Sequence, residues 1–194
     1  MRGLALFFGG LASLAAYGAV ADGPTFHFPQ VAGYGGIART PDAAEPPRRG
    51  AKIIFDITAD SKPDEVNKGL EGVARYLNLN AEAGLKPADV KLALVLHGGA
   101  TKAALGDAAY AKHTTAPKNP NLALIHELKA CGVEVFVCGQ SVARNKVAPA
   151  DVADEGAILR SRRGEAGLFL AAPDDDVGGA LDLGDLVAIL SLPI

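Results

Sequence analysis

The amino-acid sequence predicts an α/β protein, a three-layer α/β/α sandwich built on a mostly parallel sheet. Short, β-branched segments of strand length alternate with longer segments in which apolar residues recur every three or four positions. The segment from Val90 to His97 is almost continuously apolar, as expected for a strand that is covered on both faces. An alternation of strands and helices indicates parallel strands joined by helical crossovers.

The chain ahead of the domain begins with a segment typical of a secretory signal peptide. Residues 1–21 hold one basic residue, Arg2, followed by an apolar stretch that ends with the small residues Ala19 and Ala21 on either side of a valine. A short positive start, an apolar middle and a small-residue cleavage pattern are the features of such peptides. We therefore expect an exported, periplasmic protein that keeps no stable membrane anchor.

Residues 22–50 predict an extended arm in front of the domain. They are rich in proline and glycine and have neither a helical nor a strand period. Three aromatic residues, Phe26, Phe28 and Tyr34, lie close together in this segment. Two interpretations stay open: the aromatic residues dock onto a neighbouring surface, or the segment is a mobile tether.

The elements of the domain, residues 51–155, are predicted from periodicity and from the residues that begin and end helices. Pro63 suits a first helical turn, Thr101 suits an N-cap, and Gly132 suits the end of a helix. In chain order we predict a strand over 52–58, a helix from 63 to 84, a strand over 90–97, a helix over 101–112, a helix from 119 to 132, a strand over 133–138 and a short helix over 139–147.

The composition excludes several classes of function. The chain has 194 residues, 49% of them hydrophobic, with a net charge of −3 and 2 cysteines. It has no concentrated basic charge with which to bind nucleic acid, and two cysteines cannot build a disulfide scaffold. His113 and His126 lack the spacing of a metal site, and no phosphate-binding glycine loop or serine-nucleophile motif occurs. We expect neither a metal nor a cofactor.

The candidate functional residues lie where two predicted strands end. Ligands of a parallel sheet bind beyond the carboxyl ends of its strands. His97 precedes Gly98, and Cys138 precedes Gly139 and Gln140, so a ligand can approach the backbone closely beside each titratable side chain. A helix that begins directly after Cys138 directs its N–H groups and its positive dipole end toward the sulfur, which favours the nucleophilic thiolate.

Each of these residues also has a purely structural explanation. Cys138 can be a small buried hydrophobic residue, and His97 can be a hydrogen-bonded histidine at a strand end. Cys131 precedes the glycine that ends a helix and is interpreted as a packing residue. The strand between the two cysteines separates their Cα atoms by about 20 Å, whereas a disulfide requires less than about 7 Å.

Several segments resemble the DsrE/DsrF-like family, most closely its exported single-domain members. They are KIIFDIT from Lys52, LALVLHGGAT from Leu92 and the stretch from Asn119 to Val152. The sharpest part is GVEVFVCGQS at residues 132–141, and the resemblance covers residues 51–155.

This resemblance implies an α/β/α fold with a mostly parallel sheet and assembly into a homo-oligomer, a trimer or a hexamer. It implies that sulfur is carried as a cysteine persulfide, and it places the carrier role on Cys138. His97 matches a family position with a lining or polarising role, and Gln140 is expected to donate a hydrogen bond to the persulfide. The implied partner is a donor or acceptor of sulfane sulfur, either a protein or a small molecule.

Residues 156–194 depart from the family pattern of a short strand, a long amphipathic helix and a final strand. All ten lysines lie between Lys52 and Lys146, and this last segment is built from residues of GC-rich codons. One hypothesis is a reading-frame shift near Glu155, which would leave the domain without one helix and an edge strand. The alternative is a lineage-specific end in which Asp185 to Leu192 forms a replacement strand or helix.

Three functional hypotheses follow. The leading one is an exported, oligomeric sulfur-relay protein that accepts and passes sulfane sulfur on Cys138, as a sulfur carrier or sulfurtransferase. The second is a non-catalytic, oligomeric module that binds a small ligand in the crevice at the strand ends. The third is a redox enzyme that pairs Cys138 with a cysteine of another subunit.

Overall fold

The computed structural model describes residues 25–41, 45–154, 156–159 and 188–191, so the predicted signal peptide lies outside the described residues. Its strands are β1 (Lys52–Ile57), β2 (Lys91–Leu96), β3 (Glu134–Cys138), β4 (Ala157–Leu159) and β5 (Ala188–Ser191), and its α-helices are α1 (Lys68–Glu82), α2 (Asp107–His113), α3 (Leu122–Ala130) and α4 (Gly139–Arg144). The strands form one sheet in the order β4-β3-β2-β1-β5, and every pairing among these described strands is parallel. The predicted α/β class with a parallel sheet is confirmed.

The two faces of the sheet carry separate apolar clusters, because successive side chains of a strand point to opposite faces. The larger cluster joins one face, through residues such as Phe55 and Leu94, to the buried sides of α1, α2 and α3. The other face carries a smaller cluster of Ile54, Ala93 and Val95. Among the described residues, α1, α2 and α3 cover one face of the sheet, and the second helical layer of the predicted sandwich stays a prediction.

The first helix begins later than the sequence predicts. We expected it to start near Pro63, but α1 starts at Lys68 because Asn67 caps it. The Asn67 Oδ1 atom accepts a hydrogen bond from the backbone N–H of Gly69 at 2.9 Å, which satisfies one of the free donors of the first turn.

The prediction of a helix capped by Thr101 is wrong. Thr101 is fully buried inside a 3₁₀ helix, Gly98–Ala104, and α2 begins only at Asp107. The other predicted elements of the domain occur within three residues of their expected bounds. Among the described residues, no helix has the length and apolar character needed to cross a membrane.

The arm packs against the domain over residues 25–41. Val31 and Ile37 are buried, and Tyr34 contacts the larger apolar cluster. Docking therefore describes this part of the arm better than a mobile tether. The three aromatic residues do not all dock, however, because the side chains of Phe26 and Phe28 are 59% and 41% exposed.

A buried asparagine of α1 holds the arm in place. The Asn78 Oδ1 atom accepts hydrogen bonds from the backbone N–H groups of Gln30 and Val31, at 2.9 and 2.8 Å. Its Nδ2 atom donates to the carbonyl oxygens of Tyr34 and Gly35, at 2.9 and 3.0 Å. One side chain thus satisfies four backbone groups of a segment that has no regular structure of its own.

Two strands fall within the segment predicted to depart from the family pattern. β4 pairs with β3, and β5 pairs with β1, so they form the two ends of the sheet. β5 lies within the range Asp185 to Leu192, where the lineage-specific alternative places a replacement strand. We expected a frame shift to remove an edge strand, and the described residues retain one at each side. The frame shift itself stays a prediction about the gene.

Candidate functional site

Cys138 lies at the carboxyl end of β3, and α4 begins at the next residue, as the sequence predicts. Its thiol is free, and its side chain is partly buried. The side chain packs against the smaller apolar cluster, which contains Val95. The sulfur is therefore on the sheet face opposite to α1, α2 and α3.

A histidine and an aspartate are in contact at the same edge of the sheet. His97 Nε2 lies 3.3 Å from Asp56 Oδ1, and the two side chains are 23% and 29% exposed. Both atoms are themselves buried, and neither has an aligned hydrogen bond with any described residue. Asp56 lies within the strand predicted over residues 52–58 and is not among the candidate residues that the sequence indicates. The signal that pairs it with His97 is the register of β1 and β2, which the sequence does not contain.

Strand register brings His97 and Cys138 together. Leu96 of β2 pairs with Val137 of β3. His97 directly follows Leu96 and Cys138 directly follows Val137, so the two residues lie across from each other. Adjacent strands lie about 4.8 Å apart. Asp56 pairs with Val95, two residues before His97, so all three polar side chains belong to one face at the carboxyl edge.

The turn after His97 is joined directly to the start of α4. The Gly98 N–H donates to Ser141 Oγ at 3.0 Å, and Asn145 Nδ2 donates to the Gly98 carbonyl oxygen at 2.8 Å. Gly98 has a φ of +48°, a conformation that favours glycine. A Cβ atom on Gly99 would lie 2.8 Å from Asp60 Cβ. Neither Ser141 nor Asn145 is among the candidate residues indicated by the sequence, although Ser141 ends the GVEVFVCGQS segment.

The other predicted crevice residues lie in the first turn of α4. Gly139 is partly buried and Gln140 is exposed. A cavity of about 360 Å³ opens beside this edge of the sheet, lined by the β1–α1 loop and by the start of α1. None of His97, Gly98, Gly139 or Gln140 lines that cavity, so it is separate from the predicted crevice.

A network of buried asparagines fixes the loops around the site. Asn121 Oδ1 accepts from the backbone N–H of Asn67 at 2.7 Å, and Asn121 Nδ2 donates to Asn119 Oδ1 at 2.8 Å. Asn67 Nδ2 donates to the Ala59 carbonyl oxygen at 2.8 Å, and Asn119 Nδ2 donates to that of Leu105 at 2.7 Å. The loops after β1 and β2 are thereby held against the start of α3.

Cys131, His113 and His126 belong to elements other than β2, β3 and α4. Cys131 precedes β3, contacts the larger apolar cluster and accepts a hydrogen bond from Gln30 Nε2 at 3.5 Å. His113 ends α2, and His126 is exposed on α3. Across the part of the chain that the structure describes, no three His, Cys, Asp or Glu side chains are grouped to hold a metal ion.

The fold and the site define an α/β protein with a free cysteine at the carboxyl edge of a parallel sheet. The chain belongs to the DsrE/DsrF-like family, whose model matches residues 60–172. The match contains β2, β3 and Cys138 and begins after β1. It ends at residue 172, whereas we expected the resemblance to end near residue 155. No curated protein sequence matches the chain.

Proposed function

We propose that this protein accepts and passes sulfane sulfur as a persulfide on Cys138. Membership of the DsrE/DsrF-like family supports a sulfur-relay role in general. The observation that carries the finer proposal is a free, partly exposed thiol at the carboxyl end of β3, with His97 across from it directly after the neighbouring strand β2.

The transfer is an exchange between two thiols and needs no net oxidant. The Cys138 thiolate attacks the outer sulfur of a donor persulfide, RSSH. The S–S bond of the donor breaks, a new S–S bond forms on Cys138, and the donor leaves as the thiolate RS⁻. An acceptor thiolate then attacks the outer sulfur of the Cys138 persulfide and regenerates the Cys138 thiolate.

Mass spectrometry of the intact protein tests the loading step. The full chain is incubated with a low-molecular-weight persulfide, freed of excess reagent and weighed. We expect one added sulfur, about 32 Da, which disappears on reduction. Treatment with cyanide should release the same sulfur as thiocyanate, which identifies it as sulfane sulfur.

The two cysteines provide a matched pair of variants. Cys138→Ser should lose the adduct, and Cys131→Ser should keep it, because Cys131 lies at the other end of β3. An adduct that survives unchanged in Cys138→Ser defeats the assignment.

The proposal includes export of the chain and its assembly into a trimer or hexamer. Export is supported by the pattern of residues 1–21, and assembly by the family resemblance. The mass of the protein recovered from the periplasm should correspond to a chain beginning at Asp22. Light scattering should give three or six times the mass of one chain, and a monomer at micromolar concentration would contradict the assembly.

A non-catalytic binding module is the second candidate, and one observation favours it. Cys138 packs against the apolar cluster of Ile54, Ala93 and Val95, as a small structural cysteine does. Thiol titration of the folded protein separates the candidates. A Cys138 thiol that reacts with a disulfide reagent only after unfolding supports the binding module.

A further inference from the structure

We propose that Asp56 is a positioning residue that orients His97 to take the proton of the Cys138 thiol. This inference rests on the proposed function of Cys138 and adds the residue that acts through its neighbour. Asp56 and His97 come from different strands, 41 positions apart in the chain, and meet at the edge that carries the cysteine.

The contact between the two side chains gives the first part of the argument. Asp56 Oδ1 and His97 Nε2 are buried polar atoms 3.3 Å apart, and each lacks an aligned hydrogen bond to any other described residue. Buried polar atoms of this kind are rare and call for an explanation. Hydrogen bonds of catalytic groups are often long in the resting protein and shorten when charge develops.

The chemistry of imidazole gives the second part. A carboxylate can only accept, so the proton of neutral His97 belongs on Nε2, which faces Asp56. The Nδ1 atom then carries the free lone pair. Because His97 and Cys138 directly follow the paired residues Leu96 and Val137, this lone pair belongs to the residue that lies across from the cysteine in the strand register.

The resulting step balances without a further reagent. The S–H proton of Cys138 passes to Nδ1 of His97, and the carboxylate of Asp56 stabilises the imidazolium that forms. The thiolate attacks the outer sulfur of RSSH, and the donor S–S bond breaks. The leaving thiolate RS⁻ takes the proton from His97, so the products are the Cys138 persulfide and RSH.

Alkylation of Cys138 by iodoacetamide measures this role directly. The experiment uses the full chain carrying Cys131→Ser, in which Cys138 is the remaining cysteine. We expect Asp56→Asn and Asp56→Ala to lower the rate constant by about 10-fold or more, since a correctly placed base contributes at least that much. Asp64→Asn, which removes an exposed carboxylate from the nearby β1–α1 loop, should leave the rate unchanged.

A double-mutant cycle separates positioning from structural support. If Asp56 acts through His97, Asp56→Asn should have no further effect on alkylation in a His97→Gln protein. The imidazole ¹⁵N spectrum should show His97 protonated on Nε2 in the parent protein and a mixture of tautomers in Asp56→Asn. An unchanged rate and tautomer in Asp56→Asn, or an equal loss of rate without His97, overturns the inference.

Alkylation and sulfur loading can fail independently. Alkylation of the reduced protein reports the reactivity of the Cys138 thiol, and it does so whether or not the protein functions as a sulfur carrier. Asp56-dependent alkylation without a persulfide adduct would overturn the sulfur-carrier function and leave the positioning role standing. A persulfide adduct that forms equally fast in Asp56→Asn would overturn the positioning role and leave the carrier function standing.

Discussion

Asn78→Ala should release the arm from the domain. The Asn78 side chain is fully buried in α1 and makes four hydrogen bonds to the backbone of residues 30–35. Alanine removes all four and adds no partner for the backbone groups left behind. Within residues 25–41, the arm has no ladder of its own beyond a single bridge between His27 and Ile37, so this part cannot recover these bonds internally.

The expected loss is about 2 to 4 kcal/mol in the free energy of unfolding. A protein hydrogen bond contributes about 1 kcal/mol net, and a buried group that loses its partner costs about 1 to 3 kcal/mol. The upper value of about 4 kcal/mol corresponds to the loss of all four hydrogen bonds. The lower value applies if the arm leaves the domain, because its backbone groups then bond to water and the remaining cost is the lost burial of Val31 and Ile37.

Urea unfolding and amide hydrogen exchange measure the two consequences. Asn80→Ala is the matched control, because Asn80 is also buried on α1 but donates only to the Tyr76 carbonyl oxygen within its own helix. We expect it to cost about 1 kcal/mol or less and to leave the arm protected. Equal losses in the two variants, or protected amides at Gln30 and Val31 in Asn78→Ala, would refute the reasoning.

Three further predictions follow from single contacts. Gly35→Ala should cost about 2 kcal/mol or more, because its φ is +59° and its Cβ would lie 2.3 Å from a backbone nitrogen of α1. Gly33→Ala, with a φ of +78° and open space, should cost about 1 kcal/mol, and equal losses in urea unfolding would contradict the close approach. Tyr110→Phe removes the hydroxyl donor to a β1–α1 loop carbonyl at 3.1 Å and should cost about 1 kcal/mol, so an unchanged thermal midpoint would count against that bond. The hydrogen bond from His27 holds the pKa of Glu82 in the folded protein below its ordinary 4.5. The ionised carboxylate therefore stabilises the folded protein above pH 4.5, and this stabilisation is lost as the pH falls through the lowered pKa. Glu82→Gln should therefore reduce the pH dependence of the urea midpoint as the pH falls below 4.5, and an unaltered dependence would assign it to other carboxylates.

Most of the domain's elements could be predicted because their signals are local. The β-branched runs of β1, β2 and β3 and the glycine after α3 act through their own backbone preferences. The start of α1 could not be predicted in the same way. Asn67 caps this helix while its backbone N–H bonds Asn121, which lies 54 residues away, so a tertiary contact decides the position of the first turn.

The candidate site was predictable in part for the same reason. Cys138 and His97 were identified because each residue ends a strand and precedes a glycine. Asp56 was not identified as their neighbour, since an aspartate at the end of a strand is common and its own sequence context carries no further signal. The Gly98 contacts with Ser141 and Asn145 likewise join segments more than 40 residues apart.

By itself, the sequence determined the order of strands and helices and the end of the sheet at which Cys138 lies. Both follow from periodicity and turn residues, which are properties of short stretches of chain. Only the tertiary structure decided that Asp56 contacts His97, that Asn78 binds the arm and that β5 joins β1 at the edge of the sheet. These depend on strand register and on close packing between distant segments, which local backbone preferences do not encode.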